Sequence, residues 1–141
     1  MVYKSESSIM NTSDILQDRL IELLRGNTPP TPVSLQIALS AGDPLMDGSG
    51  LVEPPGPDGY ARQVLTLKAG VFTLGVGTLT SNDAPVVFGP AVNNDWPQVS
   101  HAAILDQAGN QLAQGLLAAP RTVTVGDTYS LAIDSIQLLV R

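Results

Sequence analysis

Short apolar segments separated by turn-forming residues run through most of the chain, and this spacing constrains the fold more than any other feature. Val33–Ser40 shows the clearest alternation, with Val33, Leu35, Ile37 and Leu39 on one face. About eight or nine such segments follow one another, with Gly, Asn, Asp or Pro between them. The pattern predicts an all-β domain, a single β-sandwich or barrel of about eight short strands. A chain of 141 residues has room for one such core.

One amphipathic helix is predicted ahead of the strands. Apolar residues recur at helical spacing over Ser13–Arg25, Ser13 offers an N-cap oxygen, and Gly26 suits the position after the helix. The prolines of Asn27–Pro32 then predict a stiff linker. We therefore divide the chain into an N-terminal arm, helix and linker (residues 1–32) and a β-sandwich domain (residues 33–141). Two hypotheses stay open for the helix, since it either caps the β-core or docks on a neighbouring subunit.

Composition excludes several classes of function. The net charge is −6 and the seven basic residues are scattered, so no basic surface is predicted for nucleic acid. No apolar run approaches the ~20 residues of a membrane span, and the polar N-terminus does not look like a signal peptide. We expect no membrane association, and we expect the protein to be made and folded in a cytoplasm. Charged residues make up only 14%, which is common where partners cover much of a surface.

The sequence offers no set of residues that together would support catalysis or metal binding. His101 is the single histidine and there is no cysteine, so neither a nucleophile with an oriented base nor a zinc site is predicted. We interpret His101 as a structural residue. Asp43 and Asp47 invite a calcium interpretation, but Pro44 breaks the required spacing and an ordinary turn is favoured. The expectation is a protein that is not an enzyme and has no cofactor.

Trp96, the single tryptophan, allows two interpretations. In the first it packs in the core beneath a loop, with its N–H bonded to a carbonyl oxygen. In the second it is exposed, as a carbohydrate platform or an interface anchor. Aromatic residues make up only 4% of the chain, so the core interpretation is favoured.

An ordered set of markers carries a resemblance to a known family. The markers are Gly59-Tyr60-Ala61-Arg62-Gln63, Val87-Phe88, Asp95-Trp96, His101, Asp106, Gly109-Asn110-Gln111-Leu112, Pro120-Arg121-Thr122-Val123 and Gly126-Asp127. With the helix and the first strand, this order resembles a family of small tailed-bacteriophage structural proteins, often labelled phage tail-fibre or virion structural proteins. The resemblance runs from Asn11 to the C-terminus. The loop Gly48–Asp58 is longer than the resemblance implies.

The resemblance implies a non-enzymatic component of the phage particle. Its partners would be other virion proteins, either the major capsid protein or tail proteins, and its location the virion. One compact domain with an arm favours a capsid decoration (cement) protein that clamps neighbouring capsid subunits, and the alternative is a tail-fibre or tail-associated adhesion module. We also expect a homo-oligomer, with a symmetric trimer as the working hypothesis.

Specific residues are assigned to contacts and to the scaffold. The expected contacts are the arm Met1–Met10, the helix residues Leu16, Leu20 and Leu24, and the loop residues Pro54, Pro55 and Pro57. The expected scaffold residues are Gly59, Tyr60, Arg62, Phe88, Trp96, Gly126 and Asp127. A glycan-binding module would instead need Trp96 and Tyr60 exposed on one face, and an enzyme would need His101 beside two acids in a cleft.

Overall fold

A computed structural model describes residues 7–141, and within them it contains ten strands and one α-helix. A single-turn 3-10 helix covers Gly56–Asp58. The elements are β1 (Ser8–Thr12), α1 (Asp14–Leu24), β2 (Leu35–Ser40), β3 (Gln63–Leu65), β4 (Val71–Thr73), β5 (Gly77–Ser81), β6 (Val86–Phe88), β7 (Val99–Asp106), β8 (Gln111–Arg121), β9 (Tyr129–Leu131) and β10 (Ile136–Val140). The prediction of an all-β domain with one helix is confirmed.

Eight strands form one large sheet in the order β3-β2-β7-β8-β1-β10-β5-β4, which curls into a half-barrel. Its two edge strands are neighbours in sequence, because residues 66–70 run directly from β3 to β4. Along this segment Leu67 bridges to Asn82, and the Lys68 amide donates to the carbonyl oxygen of Ser81 at 2.8 Å. The two edges of the sheet are therefore connected by one continuous stretch of backbone.

The core lies on the concave side of this sheet. Ile37, Leu39 and Ile104 point inward from β2 and β7 and are at most 1% exposed. The small sheet of β6 and β9 packs its buried residues against the same cluster, with Phe88 fully buried and Tyr129 3% exposed. This second sheet covers the apolar interior that the half-barrel leaves open.

Strand β1 lies between β8 and β10, inside the large sheet. It pairs parallel with β10 and antiparallel with β8, and its residues Ser8 and Met10 are buried. Ser8 and Met10 of the arm Met1–Met10 are therefore buried within the chain's own sheet, whereas Ile9 is 49% exposed, and the expected contact of the arm with a neighbouring subunit stays a prediction. Residues 1–6 lie outside the described part of the chain. The division of the chain at residue 32 stays a prediction.

Several strand boundaries differ from the sequence predictions. The apolar segment Val71–Leu79 predicts one strand with bulges at Gly75 and Gly77, whereas the structure shows a hairpin, because Gly75 adopts a φ of +80° and the chain reverses there. Val33 lies outside β2 and is 87% exposed. The helix α1 matches its prediction, with Ser13 as N-cap accepting a hydrogen bond from the Leu16 amide at 3.2 Å. No helix among residues 7–141 is long and apolar enough to cross a membrane.

Candidate interaction surfaces

The first candidate surface is the outward side of α1. None of the helix residues is fully buried, although the helix is attached firmly to the sheet. The Ser13 hydroxyl donates to the carbonyl oxygen of Gln111 at 2.6 Å, and Arg19 pairs with the buried carboxylate of Asp106 at 3.1 Å. Burial acts to raise the pKa of Asp106, but hydrogen bonds, from Asn110 and Arg19 among others, hold that pKa below its ordinary value. The anchored helix therefore presents its remaining apolar side chains to solvent.

Leu16, Leu20 and Leu24 form a row along α1, because residues four apart share a helix face. Leu16 is half-buried, Leu20 is 41% exposed and Leu24 is 83% exposed. The row thus rises from the sheet toward solvent along the helix. We call it the leucine row. Within residues 7–141 no element covers the outer end of this row, and exposed leucines at this spacing are typical of a helix that binds a partner.

The second candidate surface is the proline-rich loop before β3. The structure separates the three predicted contact residues, since Pro54 is buried whereas Pro55 and Pro57 are exposed. Pro54 is therefore not available to a partner. The binding roles of the other two prolines and of the leucine row stay predictions.

The loop is held rigidly by a polar cluster around Glu53. The Glu53 carboxylate accepts hydrogen bonds from the Tyr60 hydroxyl at 2.8 Å and from Arg62 Nε and Nη2, each at 2.9 Å. Burial acts to raise the pKa of Glu53, but the bonds from Arg62 and Tyr60 hold that pKa below its ordinary value. Burial, with the Glu53 carboxylate as the next cause, raises the pKa of Tyr60 far above its usual range. Tyr60 is therefore a neutral donor to a charged Glu53.

Several of the expected scaffold residues pack together beside the proline-rich loop, and we call this region the aromatic corner. Tyr60 stacks on Phe88 with ring centroids 6.0 Å apart and meets the edge of Trp96 at 5.6 Å. Trp96 is 1% exposed and its indole N–H donates to the carbonyl oxygen of Asp58 at 2.8 Å. Gly59 has a φ of +90°, and a Cβ atom there would overlap the carbonyl oxygen of Pro90. Since Trp96 and Tyr60 are both buried, they do not offer the exposed rings that a glycan platform would need.

Gly126 and Asp127 form an exposed turn beside this corner. The Gly126 amide donates to the carbonyl oxygen of Ala91 at 2.8 Å, and the Ala91 amide donates to that of Asp127 at 2.9 Å. The Asp127 carboxylate also accepts a hydrogen bond from Thr124 at 2.7 Å. The turn thus connects two loops by backbone pairing, and neither of its residues belongs to the core cluster.

His101 lies in a shallow groove between β8 and the loop after β2. A register shift in β7 brings the Ser100 hydroxyl to 2.8 Å from His101 Nδ1, while Nε2 lies 3.5 Å from the exposed carboxylate of Asp43. Among residues 7–141, Asp43 is the one carboxylate within 4 Å of His101. The enzyme hypothesis required two acids at this position. No group of three potential metal ligands is found in the same part of the chain.

Comparison with known proteins gives one match that covers nearly the whole chain. The family model described as podophage GP4 fiber I protein gp80 matches residues 11–139. The match leaves out only the first ten and the last two residues. It confirms the resemblance to a phage virion structural family. No curated protein matches the chain.

Proposed function

The chain belongs to the podophage GP4 fiber I protein gp80 family, a family of phage virion structural proteins, and from this premise we propose that it is a capsid decoration (cement) protein. In this role it binds neighbouring capsid subunits and has no enzymatic activity. The observation that carries the proposal is the leucine row, an apolar helix face held in a fixed position on a compact domain and left exposed at its outer end.

The attachment of α1 supports a docking role. The buried pair of Arg19 and Asp106 and the bond from Ser13 fix the first half of the helix to the sheet. A partner groove that receives Leu20 and Leu24 would bury side chains that are now 41% and 83% exposed. Burying such leucines contributes roughly 1.5–3 kcal/mol each when the burial is complete. Because the helix is already ordered, little conformational entropy opposes the contact.

The proline-rich loop supplies a second rigid contact. Pro55 and Pro57 are exposed on this loop. Four hydrogen bonds of 3.0 Å or less hold the loop in place. Tyr60 and Arg62 donate three of them to the Glu53 carboxylate, and the Leu39 amide donates the fourth to the Tyr60 hydroxyl. Clamping requires two separated contact regions, one for each neighbouring subunit. The leucine row and this loop are the two regions that we assign to that task.

A second candidate is a tail-fibre or tail-associated adhesion module. The observation in its favour is the description of the family, which names a fiber protein. Against it, the chain lacks the sequence repeats and the coiled-coil heptads that build long fibres. The decoration role therefore remains our first proposal.

The leucine row is tested by incorporation into particles. We expect Leu24→Lys to reduce the copies per purified particle at least about tenfold, because a lysine ammonium cannot enter an apolar groove without a large desolvation cost. Quantitative mass spectrometry of particles assembled with the variant chain gives this number.

The matched control is Val33→Lys, which places the same charge on a side chain that is 87% exposed and outside the leucine row. We expect this variant to be incorporated at the wild-type level. Incorporation of Leu24→Lys at the wild-type level would overturn the docking role of the helix, provided that both variants unfold at the wild-type urea concentration.

A further inference from the structure

The loop after β2 contains an aspartate followed directly by a proline, Asp43-Pro44, which is the one such pair in the sequence. An aspartate carboxylate can attack its own backbone carbonyl carbon, because the attack closes a small, unstrained anhydride ring. Proline makes the peptide bond easier to break, since its nitrogen belongs to a tertiary amide and leaves as a secondary amine. The sequence therefore supplies a nucleophile and a favourable leaving group at one bond.

The structure holds this bond in a defined setting. Pro44 is buried, whereas the side chain of Asp43 is 71% exposed. A Cβ atom at Gly50 would overlap the Asp43 carbonyl oxygen, so the backbone of the same loop packs directly against the carbonyl group that is attacked. The Leu45 amide donates to the carbonyl oxygen of Ser49 at 2.8 Å and closes the loop just after the bond. The leaving group is thus fixed in place, and water has access to the carboxylate.

His101 is placed to supply the proton that the leaving nitrogen requires. Its Nε2 atom lies 3.5 Å from a carboxylate oxygen of Asp43, and both residues line the same shallow groove as Pro44. Its Nδ1 atom lies 2.8 Å from the Ser100 hydroxyl oxygen, and this contact fixes the orientation of the ring. The imidazole therefore faces the bond with the nitrogen that is free to donate.

The other groups around His101 are uncharged. Its register partners are Ser40 of β2 and Leu116 of β8, and within residues 7–141 Asp43 is the one carboxylate within 4 Å. Asp43 and His101 are also the two titratable residues among those that line the groove. Histidine takes up a proton between about pH 8 and pH 5, and both of its ring nitrogens are then donors. Below neutral pH the groove thus combines a carboxylate nucleophile with a proton donor.

We propose that the chain cleaves its own backbone between Asp43 and Pro44. A carboxylate oxygen of Asp43 attacks the carbonyl carbon of the same residue, and the C–N bond to Pro44 breaks. The electron pair of that bond stays on the proline nitrogen, which takes the proton from His101 Nε2. Water then opens the cyclic anhydride to two carboxyl groups and returns a proton to the imidazole. The net reaction is hydrolysis of one peptide bond, a single event without turnover of a substrate.

The two pieces stay together in the folded protein. Residues 1–43 contain β1, α1 and β2, and residues 44–141 contain the other strands. In the large sheet β2 lies between β3 and β7, and β1 lies between β8 and β10. Both strands of the first piece are therefore hydrogen-bonded on each side to strands of the second. Cleavage leaves the sheet assembled, so the fragments separate only under denaturing conditions.

Mass spectrometry of the purified full chain under denaturing conditions, after incubation at about pH 6, tests the proposal. We expect two fragments, one ending at Asp43 and one beginning at Pro44, whose masses together exceed the 14.7 kDa of the chain by one water. The native chain is expected to cleave at least about tenfold faster than the chain unfolded in urea at the same pH, because it positions a proton donor. The native rate is expected to fall between about pH 6 and pH 8, as histidine loses its proton.

Two variants identify the reacting groups. Asp43→Ala removes the nucleophile from an exposed position and is expected to abolish cleavage. His101→Gln is expected to lower the native rate at least about tenfold, to that of the unfolded chain. The Glu53-Pro54 bond is the internal control and is expected to stay intact, because a glutamate must close a larger ring and this carboxylate is already held by Arg62.

Two outcomes would overturn the proposal. The first is a native chain that gives no fragment at this bond. The second is an equal rate in the native and the unfolded chain, or a native rate that His101→Gln leaves unchanged, since the fold would then contribute nothing to the reaction. If the His101 variant does not fold, the comparison of native with unfolded wild type and the pH dependence of the native rate decide. None of these results depends on whether the chain decorates a capsid, so the two proposals fail separately.

Discussion

Replacing Trp96 with alanine is expected to lower the free energy of unfolding by about 3–5 kcal/mol. The indole is 1% exposed, meets Tyr60 edge-on, and donates its N–H to the carbonyl oxygen of Asp58. The substitution leaves a cavity where the large sheet, the small sheet and the proline-rich loop come together. It also removes one of the two donors to the Asp58 carbonyl oxygen, which keeps the bond from the Val92 amide. Urea denaturation followed by far-ultraviolet circular dichroism measures the change.

Phe72→Ala is the matched control for this substitution. It removes an aromatic ring of similar size from the hairpin of β4 and β5, where the side chain is 68% exposed. We expect a change within about 0.5 kcal/mol, as for most surface substitutions. Equal losses for the two variants would contradict the assignment of Trp96 to the core.

Replacing Gly115 with alanine is expected to destabilise the fold by about 3 kcal/mol, at the upper end of ordinary overpacking. A Cβ atom at this position would overlap the carbonyl oxygen of Ile9 and lie 3.1 Å from its carbonyl carbon and 3.2 Å from the Cα atom of Met10. All three atoms belong to the backbone of β1, so no side-chain rotation relieves the overlap. The variant must move β1 away from β8 or distort β8 itself.

Gly56→Ala gives the corresponding control, because a Cβ atom there meets nothing within 4 Å. We expect its midpoint of urea unfolding to equal that of the wild type or to rise slightly, since alanine restricts the unfolded chain. If Gly115→Ala unfolds at the same urea concentration as Gly56→Ala, then β1 does not lie against β8 as described.

The elements that sequence predicts well are those determined by local signals. The helix α1 begins after an N-cap serine and ends before Gly26, and both signals lie within its own segment. The apolar segment Ile136–Val140 likewise predicts a strand at its observed limits, since turn residues precede it. The all-β class follows from the repeated spacing of such segments.

Strand β1 could not be predicted because its signal is not local. The segment Ser8–Thr12 is short and mostly polar, and it becomes a strand only because β8 and β10, about a hundred residues later, supply hydrogen-bonding partners on both sides. The sequence Ser81-Asn82-Asp83 predicts a turn. The Asn82 side chain, fully buried, donates to the carbonyl oxygens of Ala84 and Ala132 and accepts from the Ile136 amide, so its structural role also depends on distant parts of the chain.

The candidate surfaces were predicted in part. The leucine spacing on α1 is visible in the sequence, but which face the sheet leaves uncovered depends on the pair of Arg19 and Asp106. The sequence does not predict the role of Glu53 in fixing the proline-rich loop. Its partners Tyr60 and Arg62 lie seven and nine residues later, and this loop has no helical or strand periodicity that would indicate that the three side chains meet.

The central claim, that this phage structural protein decorates the capsid, is tested most directly by averaging electron images of intact virions and fitting the chain to the density. We predict density for the chain on the capsid lattice, with the leucine row of α1 against a capsid subunit and the proline-rich loop against its neighbour. Density confined to the tail, with none on the capsid surface, would contradict the decoration role and favour the tail-fibre alternative.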